Sequence, residues 1–336
     1  MHPKELANKF RRPFQRKRCL HPLASKANCG SRIIAAHTIQ RAGAISRIID
    51  ASNHVLTFYP PEREADGRFK LHSRGWRDAS TFMGFCNTHD AELFLDLETR
   101  PFVGDEKQCF LIGYRALSHE VYQKSAASAA HPILSANMDK GRAKEEQEQI
   151  QRGISVYAQG VQKGDEEINA IKKRYDTALT RDDLSDINSV VISFDGDISV
   201  ASTGVVGPDF DIHGNRLQNL DDLSKDIEGL MFGVVSTVTG GAFVFSWPSD
   251  FKICTQFVES LLSESQTDMP SLLIEFMFGY VENTYFSKAW WDSLDKTKQT
   301  RISMLANTPV QYGHYINYSR MNFVNWRITG TAKNIK

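Results

Sequence analysis

Three cysteines and one histidine near the start of the chain have the types and spacing to hold a metal ion. They read Cys19-Leu20-His21, then Cys29-Gly30, then Cys86-Asn87-Thr88-His89-Asp90. A structural zinc site takes four sulfur or nitrogen ligands in a tetrahedron. A Cys-x-x-His pair at a helix start supplies two ligands from one turn, and helical spacing begins at His89. Cys19 and Cys29 would supply the other two from a loop or short hairpin, with His21 as the alternative to Cys29. Gly30 suits a tight turn of backbone around a ligating sulfur. In a reducing compartment, five cysteines are more readily used as ligands or core than as disulfides. Cys109 and Cys254 fall in apolar helical patterns and read as core.

Charge singles out the same end of the chain. The 336 residues carry no formal net charge, with 40 Lys and Arg against 40 Asp and Glu. Residues 1–125 nevertheless hold a formal +7 and residues 126–336 a formal −7. The cations are densest at Lys4, Lys9, Arg11, Arg12, Arg16, Lys17 and Arg18, a basic arm over residues 1–18 that Pro13 interrupts. Such clusters neutralise phosphates and release counterions, so nucleic acid is the expected partner, with Lys9, Arg11, Arg12, Arg16, Lys17 and Arg18 as contacts. No run is apolar for the ~18 residues a membrane helix needs, and no apolar leader opens the sequence. A cytoplasmic protein, with no membrane partner, is expected.

The elements that would position these residues follow from periodicity. Residues 19–35 are turn-rich. Thr38–Ala51 has helical spacing, 54–59 reads as a strand, and 62–79 reads as a charged loop. Helical spacing resumes at 89–98 and at Phe110–Val121, then runs heavily charged from about 138 to 180. After 187 the period changes to two. Val190–Phe194 and Ile198–Val200 flank Asp195-Gly196-Asp197, a hairpin signal, and Gly240-Gly241 separates two more apolar runs. Helical patterns return at 250–263, 271–282, 287–294 and 296–306. The expected fold class is α+β. The expected division is a zinc module at 19–125, a helical connector at 126–186, and an α+β domain with an antiparallel sheet at 187–336, for sensing, recognition or assembly.

The Cys/His cluster, with His37 in Ala35-Ala36-His37-Thr38, resembles a treble-clef zinc finger of the HNH nuclease type, over about residues 15–100. The resemblance implies a zinc knuckle, a catalytic His37 at a strand end, and a second ligand pair, Cys86 and His89, on a helix. It makes His37 the general base and places Asp90 where the family often has Asn, to hold a catalytic Mg²⁺ or Mn²⁺ or to orient His37. Three departures stand out. Ala36 replaces the acidic residue before the histidine, Leu93 stands at the family's third position, and residues 53–85 form an insertion. The resemblance implies an endonuclease on DNA or RNA, of the kind found in bacterial anti-phage defence effectors. The alternative is a non-catalytic protein in which zinc staples a nucleic-acid-binding fold. Assembly into a homo-oligomer is compatible with either.

The C-terminal half offers less chemistry. Asp195, Asp197, Asp209 and Asp211 could pair as carboxylates, but Asp-Gly-Asp and Pro208-Asp209 read first as turns. The run from Glu282 to Trp291 is dense in polar and aromatic residues and reads as a core edge, an interface or a base-stacking surface. Tyr312, His314, Tyr315 and Tyr318, with Arg320 and Arg327, form a further candidate contact surface.

Overall fold

The computed structural model describes residues 3–30, 32–59, 62–64, 70–306 and 315–336, so Tyr312 and His314 lie outside the described residues. The basic arm is helical. Helix α1 (Pro3–Arg11) runs into a 3-10 turn, Arg12–Gln15, where Pro13 sits at the first turn and needs no amide donor. Strand β1 (Ile33–His37) follows the cysteine-bearing loop. The expected helix over 38–51 is shorter than its apolar spacing suggests. Only Arg41–Ile45 forms a wide helical turn before a brief extension, because Gly43 takes non-helical angles (φ −96°, ψ −111°). Strands β2 (His54–Thr57), β3 (His72–Gly75) and β4 (Thr81–Cys86) come next, β3 lying inside the stretch expected to be loop.

Short helices α2 (Asn87–Leu93) and α3 (Leu95–Thr99) lead to two long ones, α4 (Glu106–Ser135) and α5 (Lys144–Arg181). Then come β5 (Ile187–Asp195), β6 (Val200–Val206), β7 (Leu230–Ser236) and β8 (Gly240–Pro248). Helices α6 (Lys252–Leu262) and α7 (Met269–Tyr280), strand β9 (Thr284–Phe286), helices α8 (Lys288–Ser293) and α9 (Lys296–Leu305), and strand β10 (Arg327–Asn334) complete the chain.

The class is α+β, with two antiparallel sheets among the described residues. One is the pair β1–β4. The other has eight strands in the order β10-β5-β8-β7-β6-β9-β2-β3. The hairpin expected around Asp195-Gly196-Asp197 does not form. Gly196 does turn the chain at φ +119°, but β5 pairs with β8 and β10, whereas β6 pairs with β7 and β9. A local turn signal cannot report that β7 and β8 intervene. The hairpin at Gly240-Gly241 does form, joining β7 to β8. The insertion at 53–85 contributes β2 and β3 to the large sheet, through Leu56 opposite Phe286.

Strand alternation divides the core. Ala242 and Val244 of β8 pack in a cluster with Phe110, Tyr114 and Leu117 of α4 and Tyr175 of α5. Phe243, Phe245 and Trp247 belong to the other cluster, with Phe257 of α6 and Phe276 of α7. Helix α4 lies close to the sheet because Gly113 has no side chain. A Cβ there would lie 2.1 Å from Ser246 Oγ and 3.4 Å from Met231 Cβ. Ser246 Oγ cannot turn aside freely, since it bonds Tyr175 Oη at 3.2 Å. Gly113→Val is therefore expected to destabilise the protein by about 2 kcal/mol through overpacking, measured by urea unfolding against the parent. An unchanged midpoint would show that α4 does not rest on the sheet this closely.

Candidate metal centre

Three segments bring the four donors together. The loop after the basic arm is laid along β4: Arg18 and Leu20 amides donate to the Met83 and Gly84 carbonyls at 3.2 and 2.8 Å. This fixes Cys19. The loop then turns, with the Cys29 amide donating to Ser25 O at 3.0 Å, and returns at Gly30. A Cβ on Gly30 would fall 2.3 Å from Asn87 Oδ1, so a larger residue there would push the Asn87 and Thr88 side chains away from the knuckle. Cys86 is the N-cap of α2, its Sγ accepting from the His89 amide at 3.4 Å. His89 sits one turn along, buried. Lys172 of α5 reaches in from behind and donates to Leu20 O at 3.1 Å.

The result is a compact S₃N set. His89 Nδ1 lies 3.3 Å from Cys19 Sγ, 3.8 Å from Cys29 Sγ and 3.3 Å from Cys86 Sγ. All four ligand atoms lie within 4.8 Å of one another, and together they could hold a metal ion. A tetrahedral zinc site with bonds of about 2.0–2.3 Å has edges of roughly 3.5–3.8 Å, and the nitrogen–sulfur distances here, 3.3 to 3.8 Å, are close to that. His21 is not in the set. Its ring stacks on His89 with centroids 4.1 Å apart, and its Nδ1 accepts from the Leu23 amide at 3.2 Å. Electrostatics separates the sulfurs. Burial pushes the Cys19 thiol up to about 11. Burial also acts to raise Cys86, but hydrogen bonds from the His89 and Gly30 amides and from Cys19 and Cys29 outweigh it, so its pKa falls. Cys109 and Cys254 are buried in the core, as their patterns implied.

His37 and Asp90 share two charged neighbours, Arg115 and Glu98. His37 ends β1, opposite Thr81 of β4, and Asp90 follows His89 on α2. His37 Nε2 and Asp90 Oδ1 are both buried without a hydrogen-bond partner among the described residues. Burial lowers the His37 pKa, and Arg41 and Arg115 lower it further, while the Trp76 backbone and Glu98 act the other way. Burial raises the Asp90 pKa, opposed by Arg115 and reinforced by Glu98. Arg115 of α4 is itself buried, ion-paired to Glu98 at 2.9 Å and lying 4.0 Å over the Phe94 ring. Arg41 is exposed and stacks over Trp76 at 5.5 Å. Periodicity offered no signal for Arg115, Glu98 or Trp76, which join the cluster only by tertiary packing.

The basic residues of the arm do not act alike. Lys9, Arg12 and Arg16 line one groove against Ala129 and Ile133 of α4. Arg11 and Lys17 are exposed. Arg18 is turned inward, donating to Ser125 Oγ at 3.1 Å and Val121 O at 3.2 Å, over the Tyr122 ring. The carboxylates of the C-terminal half are spread out: Asp195 accepts from Thr239 and pairs with Arg327, and Asp211 caps its own loop at His213 and Asn215.

The chain matches no protein-family model, no curated protein and no solved structure. Chemistry at the S₃N centre therefore rests on its own geometry. One metal ion per chain is expected by elemental analysis. Cys86→Ser should lose it and Cys254→Ser should keep it. Equal metal content in the two variants would place the ion elsewhere.

Proposed function

We propose that this chain is a zinc-stapled, HNH-like nuclease that hydrolyses phosphodiester bonds in DNA or RNA. The observation that carries the reading is the pair His37 and Asp90. Each has a buried polar atom without a partner among the described residues, and both have Arg115 and Glu98 as charged neighbours. Unsatisfied buried polar groups are costly, and a site that keeps two of them has a use for them. Three thiolates and one imidazole suit Zn²⁺, which would be held by Cys19, Cys29, Cys86 and His89 in a closed structural site.

His37 is the general base in this reading. A neutral imidazole takes a proton from water at Nε2, the water oxygen attacks phosphorus, and the bond to the leaving oxygen breaks. Arg41, exposed beside His37 and held by Trp76, is placed to contact the phosphate. A divalent ion, when bound, would stabilise charge on the phosphate and the leaving oxygen. Asp90 is the one carboxylate that the resemblance supplies for it, because Ala36 and Leu93 stand at the other two positions. Mg²⁺ and Mn²⁺ are held by one or two carboxylates, waters and substrate phosphates, so Asp90 meets the minimum.

The groove of Lys9, Arg12 and Arg16 would follow the backbone of the nucleic acid away from the site. Residues 126–186 would serve as a helical connector and 187–336 as a recognition, sensing or assembly domain. A role in anti-phage defence and a cytoplasmic location are carried over from the resemblance alone. The non-catalytic reading draws on Ala36, which removes an acidic ligand.

The test is cleavage of plasmid DNA and structured RNA with Mg²⁺ or Mn²⁺. His37→Ala is expected to lose about 10²-fold or more in rate while keeping its metal. The base must be neutral, and burial holds the His37 pKa below that of a free imidazole, so kcat/KM should stay level through neutral pH and fall only toward acid pH. Arg41, Arg115 and Glu98 are the charged groups that set this limb. Salt-sensitive binding without cleavage by the parent would support the binding protein instead. Arg12→Ala with Arg16→Ala should weaken binding and flatten its salt dependence by roughly two charges, measured by fluorescence anisotropy.

A further inference from the structure

The His37 end of the β1–β4 pair is closed by residues far away in sequence. Thr38 follows His37, and Ser80 precedes Thr81, the residue opposite His37. The Thr38 amide donates to Ser80 O at 2.8 Å, the Ile39 amide donates to Ser80 Oγ at 3.2 Å, and the Thr38 and Ser80 hydroxyls bond each other. Ser80 has φ +57°, a left-handed conformation uncommon for a residue with a Cβ. Such a residue persists where its surroundings over-determine it, and such residues cluster at functional sites.

Here the surroundings come from the polar–aromatic run that begins at Glu282. Asn283 Nδ2 donates to Thr38 Oγ1 at 2.8 Å, with Ser80 Oγ and Thr203 O each 3.2 Å away. The Ser80 amide donates to Tyr285 Oη at 2.8 Å. Thr38, Ser80 and Tyr285 are all buried, so these bonds are shielded from water. Tyr285 is fixed in turn by pairing opposite Ala201 of β6.

We infer that Asn283 and Tyr285 are positioning residues for His37, so that the C-terminal half completes the site in the N-terminal half. The inference rests on the nuclease reading for its consequence in rate, but not for its consequence in structure. Bonds from Asn283 and Tyr285 converge on the two residues that flank the His37–Thr81 pair, one of them strained. General-base catalysis is sensitive to such placement, since a shift of about 1 Å costs up to about 10²-fold.

The experiment uses the full, metal-loaded chain with ¹⁵N-labelled histidine. The His37 ring signals are assigned by their loss in His37→Ala, and are then followed in Asn283→Ala and Tyr285→Phe. Both variants are expected to move the His37 ring signals. They should lower kcat by about ten- to a hundredfold, with KM within about threefold and metal content unchanged. Unmoved His37 signals in a folded variant overturn the inference, and so does a fall in kcat without such movement. If Asn283→Ala fails to fold, Tyr285→Phe, which removes only the hydroxyl, decides alone. A parent protein that cuts nothing sinks the nuclease reading, while the His37 signals still judge the positioning.

Discussion

Three sulfurs and an imidazole nitrogen converge on one small volume, where together they could hold a metal ion. The ligand atoms lie within 4.8 Å of one another, two of the sulfurs being 3.3 Å from the same ring nitrogen. Deprotonating all three thiols at such spacing would bring strong repulsion in a partly buried site. A central metal ion would turn that repulsion into four bonds. Much of the N-terminal half depends on this. The cluster ties the loop at 19–30 to the end of β4 and the first turn of α2, beside the core that Phe85 and Phe94 share with α4. Removing the ion would leave the knuckle held by a few backbone hydrogen bonds and by Lys172.

From that cluster the placement of the neighbouring elements follows. Joining Cys86 and His89 to Cys19 and Cys29 fixes α2 against β4, which places Asp90. Pairing β4 with β1 places His37. Helix α4 then contributes Arg115, buried against Phe94 and neutralised by Glu98. The large sheet closes the far end of the β1–β4 pair through Ser80. The two halves of the molecule share more than this contact. Ile39, Ile45, Ile48, Val55 and Phe58 lie in the same core cluster as Phe245 and Phe276.

The sequence made the donor set legible because metal chemistry restricts residue type and because Cys86 and His89 are close neighbours along the chain. It left Cys29 and His21 as alternatives, and the choice depended on a turn at Ser25 that no spacing rule specifies. The α+β class was legible from the change of period after residue 187. Strand order was not. Asp195-Gly196-Asp197 carries the residues of a hairpin, yet β5 and β6 are separated by two strands. Apolar spacing also overstated the helix after His37, where Gly43 interrupts it. Ser80 and Arg115 carried no signal, and the run that holds Asn283 was legible only as a core edge, an interface or a stacking surface, because their partners come together only in the tertiary fold.

The most direct test of the central claim is X-ray absorption at the metal edge of the purified chain. The account predicts zinc, with about three sulfur neighbours near 2.3 Å and one nitrogen near 2.0 Å, and loss of that shell in Cys86→Ser. A metal-free protein, or an ion coordinated mainly by oxygen, would contradict it, and the staple on which the site depends would have to be abandoned.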